Sequence, residues 1–260
     1  MPTKFLPCLI AMLAMAAPAS AQTSANAKYI VNWSGTNVAT VDVKLDDDGR
    51  RYTLDLDANV TGLAQVVASG TANIASNGNV GDKSLISNDF SLRTRASGES
   101  FHVTVGFDAG DVRTFIVDPP VLNNIDRVAI ERRHLTGVND MLAAFILRGG
   151  ALGSDLCRRD MRIFTGLERF DLAMSYVQDD VATSRRTGYQ GPVVLCRVKY
   201  VPVSGHFSTS EMTKFLAGND RIHLWYAPLG ATGYFIPYRV LMTTGMGDLS
   251  MVLTAMAPTD

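Results

Sequence analysis

The sequence predicts a mainly β protein: a single antiparallel, strongly twisted sheet forming an open or closed barrel-like domain. Three observations carry this expectation. Apolar and polar residues alternate with period two through most of the chain from Tyr29 onward. Turn signals such as Asp48-Gly49, Asn77-Gly78, Ala109-Gly110-Asp111 and Thr244-Gly245 punctuate the alternating runs. A clear helical period is confined to one segment, about 138–148, between two β halves.

The chain begins Met1-Pro2-Thr3-Lys4, runs apolar from Phe5 to Ala17 and ends this stretch with Pro18-Ala19-Ser20-Ala21. A short cationic start, an apolar run and a small-x-small ending are the parts of a secretory signal peptide. The run of 13 residues is short of the roughly 20 that a spanning helix needs. Cleavage is expected after Ala21, leaving 239 residues, so 1–21 is read as leader and 22–260 as a single exported domain. Of the 3 cysteines, Cys8 departs with the leader and is not a lipidation site, because Phe5, Leu6 and Pro7 precede it. Cys157 and Cys196 remain. In an oxidising compartment such a pair is most simply a disulfide; two buried thiols or a redox pair are the alternatives, the last without Cys-x-x-Cys spacing.

The first β half, about 28–118, is clearest where Tyr52, Leu54, Leu56, Ala58 and Val60 alternate with Arg51, Thr53, Asp55, Asp57 and Asn59. Asp48-Gly49 marks a hairpin into that run. Val103, Val105 and Phe107 repeat the pattern, and Asp118-Pro119-Pro120 ends it. A helical connector, about 121–150, follows. In it Val138, Met141, Leu142, Phe145 and Ile146 fall on one helical face, with Asn139 or Asp140 as cap and Gly149 as stop. The second β half, about 158–257, alternates again from Phe170 to Tyr176, from Cys196 to Tyr200, from Ile222 to Tyr226 and from Leu249 to Leu253. Shorter helical stretches are expected at Ser210–Leu216 and around Ile130. About a dozen strands result, mostly antiparallel because short turns cannot make parallel crossovers.

Composition narrows the function classes. A formal net charge of -1 with 19% charged residues excludes the basic field of a nucleic-acid binder. The four histidines, His102, His134, His206 and His223, never share a ligand spacing, and Asp46-Asp47-Asp48 is a turn rather than a calcium loop. Neither a nucleophile elbow nor a phosphate loop nor a dinucleotide fingerprint occurs. No catalytic residue, cofactor or metal is therefore assigned. Asp55 and Asp57 read as a solvated face. The doublets Arg132-Arg133, Arg158-Arg159 and Arg185-Arg186 read as ordinary loop cations, each alone weak evidence for lipid phosphate. Trp33, Trp225, Tyr226, Tyr234, Phe235 and Tyr238 lie in strands with large side chains on both faces. Both faces must then be covered, by curling round a core or by enclosing an apolar cavity.

A set of motifs adds a family resemblance. Tyr29-x-Val31-x-Trp33-x-Gly35, Tyr52-Thr53-Leu54, Thr61-Gly62-Leu63-Ala64 and Gly137-Val138-Asn139-Asp140-Met141-Leu142 resemble an exported bacterial family of unknown function, the one numbered 3108. So do Ile163-Phe164-Thr165-Gly166, Arg169-Phe170-Asp171-Leu172 and the run from Gly191 through Cys196-Arg197-Val198-x-Tyr200-x-Pro202 to Gly205-His206, with Trp225 and Ile236-Pro237-Tyr238 completing the set. The resemblance implies a periplasmic, β-rich, barrel-like envelope protein and attaches no activity to it. The chain departs at Thr165 and Leu167, where an aspartate and an arginine are expected.

These observations together point to non-catalytic binding of an apolar or amphipathic envelope molecule, a lipid for instance, or to support of envelope integrity. Met141, Leu142, Phe145, Ile146 and Trp225 are the candidate ligand or lid face. The rival expectations are a filled-core module with envelope protein partners, and a hydrolase using dispersed residues such as His206. A membrane-spanning barrel is disfavoured because the chain end lacks a terminal aromatic strand.

Overall fold

The computed structural model describes residues 22–61 and 70–258. The expected leader with Cys8 and its cleavage point, the Gly62-Leu63-Ala64 motif, Thr259 and Asp260 lie outside the described residues. The first half is a meander of seven strands: β1 (Thr23–Trp33), β2 (Thr36–Asp47), β3 (Arg51–Val60), β4 (Gly70–Val80), β5 (Leu85–Ala96), β6 (Glu99–Asp108) and β7 (Asp111–Asp118). After the connector come β8 (Leu147–Arg148), β9 (Asp160–Phe164), β10 (Arg169–Ala182) and β11 (Gly191–Ser204). The chain continues with α1 (Glu211–Gly218), β12 (Ile222–Pro228), β13 (Tyr234–Thr244) and β14 (Gly247–Pro258).

All fourteen strands belong to one antiparallel sheet, in the order β7-β6-β5-β4-β3-β2-β1-β14-β13-β12-β11-β10-β9, with β8 attached to β13. The two meanders are joined where the first strand meets the last, Tyr29 opposite Leu253 and Trp33 opposite Leu249. The outer strands β7 and β9 are not paired with each other, so the sheet is open. Its ends nevertheless meet through side chains. Phe115 of β7 stands edge-on to Phe164 of β9, ring centroids 5.3 Å apart. The β9–β10 turn lies against β6 at Gly166, whose φ of 88° suits glycine and whose missing Cβ leaves room for Val103.

Alternation explains the strands, and it explains why some are apolar on both faces. In β13, Tyr234, Ile236 and Tyr238 enter one core cluster with Tyr29, Leu45, Tyr52 and Leu253. Phe235 between them enters a second cluster with Cys157, Ile163, Val194 and Leu224. A third cluster joins Phe90, Val103, Val105 and Phe107 to Phe164. The two apolar faces anticipated for these strands are thus met by packed side chains. Within the first cluster the void edged by Ala25, Tyr29, Ile146 and Ile236 measures only about 20 Å³.

The helix expected over 138–148 is not formed, and this is the main correction to the sequence reading. Residues Ala143–Phe145 make a single 3-10 turn, followed directly by β8. Both flanks are drawn off into the sheet. The Asn139 N–H donates to the Arg162 carbonyl (2.8 Å), and the Phe164 N–H donates to the Asn139 carbonyl (3.0 Å). Leu147 pairs with Phe235 and bridges Ser84. Seven residues are left between those anchors, too few for the expected helix. Moreover Asp140, Ala143 and Ala144, which lie between the periodic residues, and Leu147, which follows them, are all buried. A segment buried on more than one face has no single amphipathic stripe, and short apolar runs of this kind are ambiguous between helix and extended chain. The helix that does form, α1, lies at the stretch opened by Ser210. The Ser210 hydroxyl accepts from the Thr213 N–H (3.1 Å).

Cys157 and Cys196 stand at disulfide distance, with Cα atoms 5.3 Å apart and both residues buried in the second cluster. Their link ties the 3-10 turn Ser154–Cys157 to the middle of β11. Closing the 39-residue separation is worth about 4 kcal/mol on the chain-entropy view. Cys196→Ser is expected to lower the thermal midpoint by at least ten degrees or so, and reductant to do the same to the unaltered protein. An unchanged midpoint in calorimetry, or two titratable thiols in the unreduced protein, would refute the link.

Candidate functional site

The segment that replaces the helix is held by one buried carboxylate. Asp140 is fully inaccessible. Its Oδ1 accepts from the N–H groups of Leu142 (2.7 Å) and Ala143 (2.8 Å), capping the 3-10 turn. Its Oδ2 accepts from the hydroxyl of Ser76 (2.6 Å) on β4 and from that of Ser87 on β5. Behind Ser76 the Tyr52 hydroxyl of β3 completes the chain at 2.9 Å. Burial outweighs these donors and raises the Asp140 pKa above the ordinary carboxylate range. Asn139 works beside it. Its Nδ2 donates to the Leu85 carbonyl (2.8 Å), and its Oδ1 accepts from the Ser87 N–H (3.1 Å). Its backbone is bonded to β9 at the same time, so this one residue ties β5 to β9 across the gap in the sheet.

A second polar link fastens the far end of the connector. The Tyr234 hydroxyl donates to buried Asp47 (2.6 Å), and burial pushes that phenol upward. Arg148 lies over the Tyr234 ring, 5.0 Å from its centroid, and donates to the Gly81 carbonyl (3.1 Å).

Between these fastenings the connector forms one wall of an open cleft of about 780 Å³ at the end of the sheet carrying the β4–β5 and β6–β7 turns. Its floor is apolar, with Leu85, Val138, Ala144, Leu147, Leu156 and Met161. Its rim carries Lys83, Arg148, Arg158, Arg159 and Arg162 against Asp155 and Asp160. Arg158 pairs with Asp155 at 3.3 Å. The other four cations make no ion pair among the described residues. Arg159 is half-buried. One of its terminal nitrogens reaches the Lys83 carbonyl (3.2 Å), while its Nε is buried without an acceptor among the described residues. That burial lowers its pKa from the ordinary guanidinium value.

The family model described as a protein of unknown function, DUF3108, matches residues 28–254. The chain belongs to that family. Its fold is also that of a solved structure from Brucella abortus, a beta-barrel-like protein of the domain of unknown function DUF1849. The two align with a TM-score of 0.54 at 10% identity, covering 92% of this chain and 98% of the other. At that identity the likeness concerns the fold alone. A comparison with curated proteins gives no match.

In this DUF3108 chain the five residues expected to form one ligand or lid face are dispersed. Leu142 and Ile146 are buried in the first cluster, Phe145 packs on the second, and Met141 lies between the second and third. Trp225, on β12, packs against the first cluster from its edge and donates to Asp180 (2.9 Å) under the Arg239 guanidinium. None of the five lines the cleft. Of the arginine doublets, Arg158-Arg159 lies on the cleft rim, whereas Arg132, Arg133, Arg185 and Arg186 are exposed elsewhere. His206 follows β11, its carbonyl accepting from the Val128 N–H (2.9 Å). Among the described residues no group of three His, Cys, Asp or Glu side chains is placed to hold a metal ion. Thr165 serves as a turn acceptor for the N–H groups of Leu167 and Glu168, a role an aspartate would fill equally well.

Sequence reasoning passed over Lys83, Arg148 and Arg162, because they are far apart in the chain and become neighbours only through folding. The helical spacing makes Asn139 or Asp140 a helix cap, and the partners of Asp140, Ser76 and Ser87, carry no local signal. Asp140→Ala takes the carboxylate acceptor from the Ser76 hydroxyl and from two N–H groups, leaves the Ser87 hydroxyl with Asn139 alone as its acceptor, and should cost about 3 kcal/mol in denaturant unfolding. Asp140→Asn should cost less. An acid whose folded pKa is raised stabilises the fold below its unfolded value and loses that advantage as pH climbs toward the folded value. Stability of the unaltered protein should therefore fall across that window, and Asp140→Asn should remove this component of the slope. Equal slopes in pH-dependent denaturation would refute the assignment.

Proposed function

We propose that the protein is exported to the periplasm and binds, without chemistry, an amphipathic molecule of the cell envelope in the cleft beside the connector. The observation that carries this reading is the cleft itself, an apolar floor beneath a polar rim in about 780 Å³, the size and lining of a small-ligand site. Export is supported by the three-part leader pattern of residues 1–21 and by a cysteine pair suited to an oxidising compartment. No helix among the described residues is long and apolar enough to cross a membrane.

One observation favours a second reading, a module that engages envelope proteins through a filled scaffold. The interior void beside Tyr29 and Ile146 holds about 20 Å³, less than a ligand needs. A ligand is therefore not held in this part of the core, and the cleft at the end of the sheet, at about 780 Å³, is the roomier place for one.

Mass spectrometry of the protein isolated gently from its native envelope separates the two. The binding reading expects a stoichiometric amphipath that is lost when Leu147→Asp places a charge on the cleft floor. To guard against misfolding of that variant, Gly150→Leu, at a cleft-lining glycine where an added Cβ meets nothing within 4 Å, should narrow the cleft and reduce the bound amount at least fivefold. No co-isolated amphipath, together with a recurrent protein partner in crosslinking, would favour the second reading.

A further inference from the structure

We infer that the cleft recognises a phosphate-bearing head group, so that its ligand is a single-chain anionic phospholipid-like amphipath rather than a neutral one; this rests on the binding reading proposed above. The inference comes from where the rim charges originate. Lys83 is supplied by the β4–β5 turn, Arg148 by β8, Arg158 and Arg159 by the stretch after the Ser154–Cys157 turn, and Arg162 by β9. Four separate elements bring five cations to one opening, against two carboxylates, in a chain whose formal net charge is -1. Concentrating like charges in this way is unfavourable for the empty protein and becomes favourable when an anion is shared among them.

The floor and the rim divide the ligand into two parts. Leu85, Leu147, Leu156 and Met161 are buried beneath the cleft, so its floor presents a shallow apolar surface to an alkyl chain and satisfies no polar group. At the rim, Arg159 holds a buried Nε without an acceptor among the described residues. A desolvated guanidinium donor of this kind is matched by an oxyanion that accepts in its plane. Arg148 is pre-positioned by the Tyr234 ring and the Gly81 carbonyl, so little side-chain freedom is lost on binding. A phosphate, with several oxygens at wide angles, can accept from arginines arriving from different elements. An alkyl carboxylate has fewer oxygens to share.

Titration calorimetry with the purified protein tests this, using four probes below their micelle concentrations: lysophosphatidylglycerol, laurate, dodecyl maltoside and inorganic phosphate. The lysophospholipid is expected to bind at least tenfold more tightly than any of the others. Arg159→Gln and Arg162→Gln should each weaken it severalfold and leave dodecyl maltoside unchanged. Arg162 is exposed, so its variant keeps the test usable should Arg159→Gln unfold. Equal binding of laurate or of the maltoside overturns the phosphate assignment while leaving the cleft a binding site. Inorganic phosphate binding as tightly as the lysophospholipid overturns the amphipath and assigns a free-phosphate site. Binding of none of the four overturns this inference and the binding reading together.

Discussion

The burial of Asp140 is the constraint on which the rest of the structure depends. The sheet does not close upon itself, so one side of the barrel lacks ladder hydrogen bonds. The connector fills that side, and its polar anchor is a carboxylate with four donors from three places in the chain: its own turn, β4 and β5. An unpartnered buried carboxylate would be costly, whereas one ringed by donors specifies where the segment must sit. With Asp140 in place, Val138 reaches the third core cluster, Leu142 and Ile146 the first, and Leu147 the second. One short stretch thereby connects all three.

The cleft is a by-product of the same arrangement. The connector's ends are claimed by β9 and β13, it is bonded to the β4–β5 hairpin at Asp140 and Leu147, and the cleft opens beside those bonds. Apolar side chains on its outer side become a floor, and cations from neighbouring turns become a rim. The site therefore belongs to the seam of the open sheet and not to an interior lumen, which is packed.

The architecture was largely legible in the sequence because it rests on local signals. Alternation at Tyr52–Val60 and from Cys196 to Tyr200, the Asp48-Gly49 turn and the two-faced aromatic strands all survive folding unchanged. The connector was misread for an equally physical reason. Val138, Met141, Leu142, Phe145 and Ile146 keep a helical spacing, but Ala143 and Ala144 between them are apolar too and Asp140 is buried, and which backbone groups a segment bonds to is decided by strands remote in sequence. The cleft was legible only in fragment. Arg158-Arg159 stood out as a doublet, while Lys83, Arg148 and Arg162 are unremarkable alone and their proximity follows from topology. The dispersal of the expected lid face has the same origin: without the helix there is no common face for its residues to share.

The open seam also has a geometric consequence. The girth of a closed barrel follows from its strand number and stagger, and changes only in whole strands. Here β7 and β9 are unpaired and the space between the halves is set by side chains, among them Ala143 and Ala144 of the connector and the Phe115–Phe164 contact. The width of such a scaffold can be graded one methyl group at a time. Evolution can thus resize the groove beside the connector by point substitution while every strand register stays as it is.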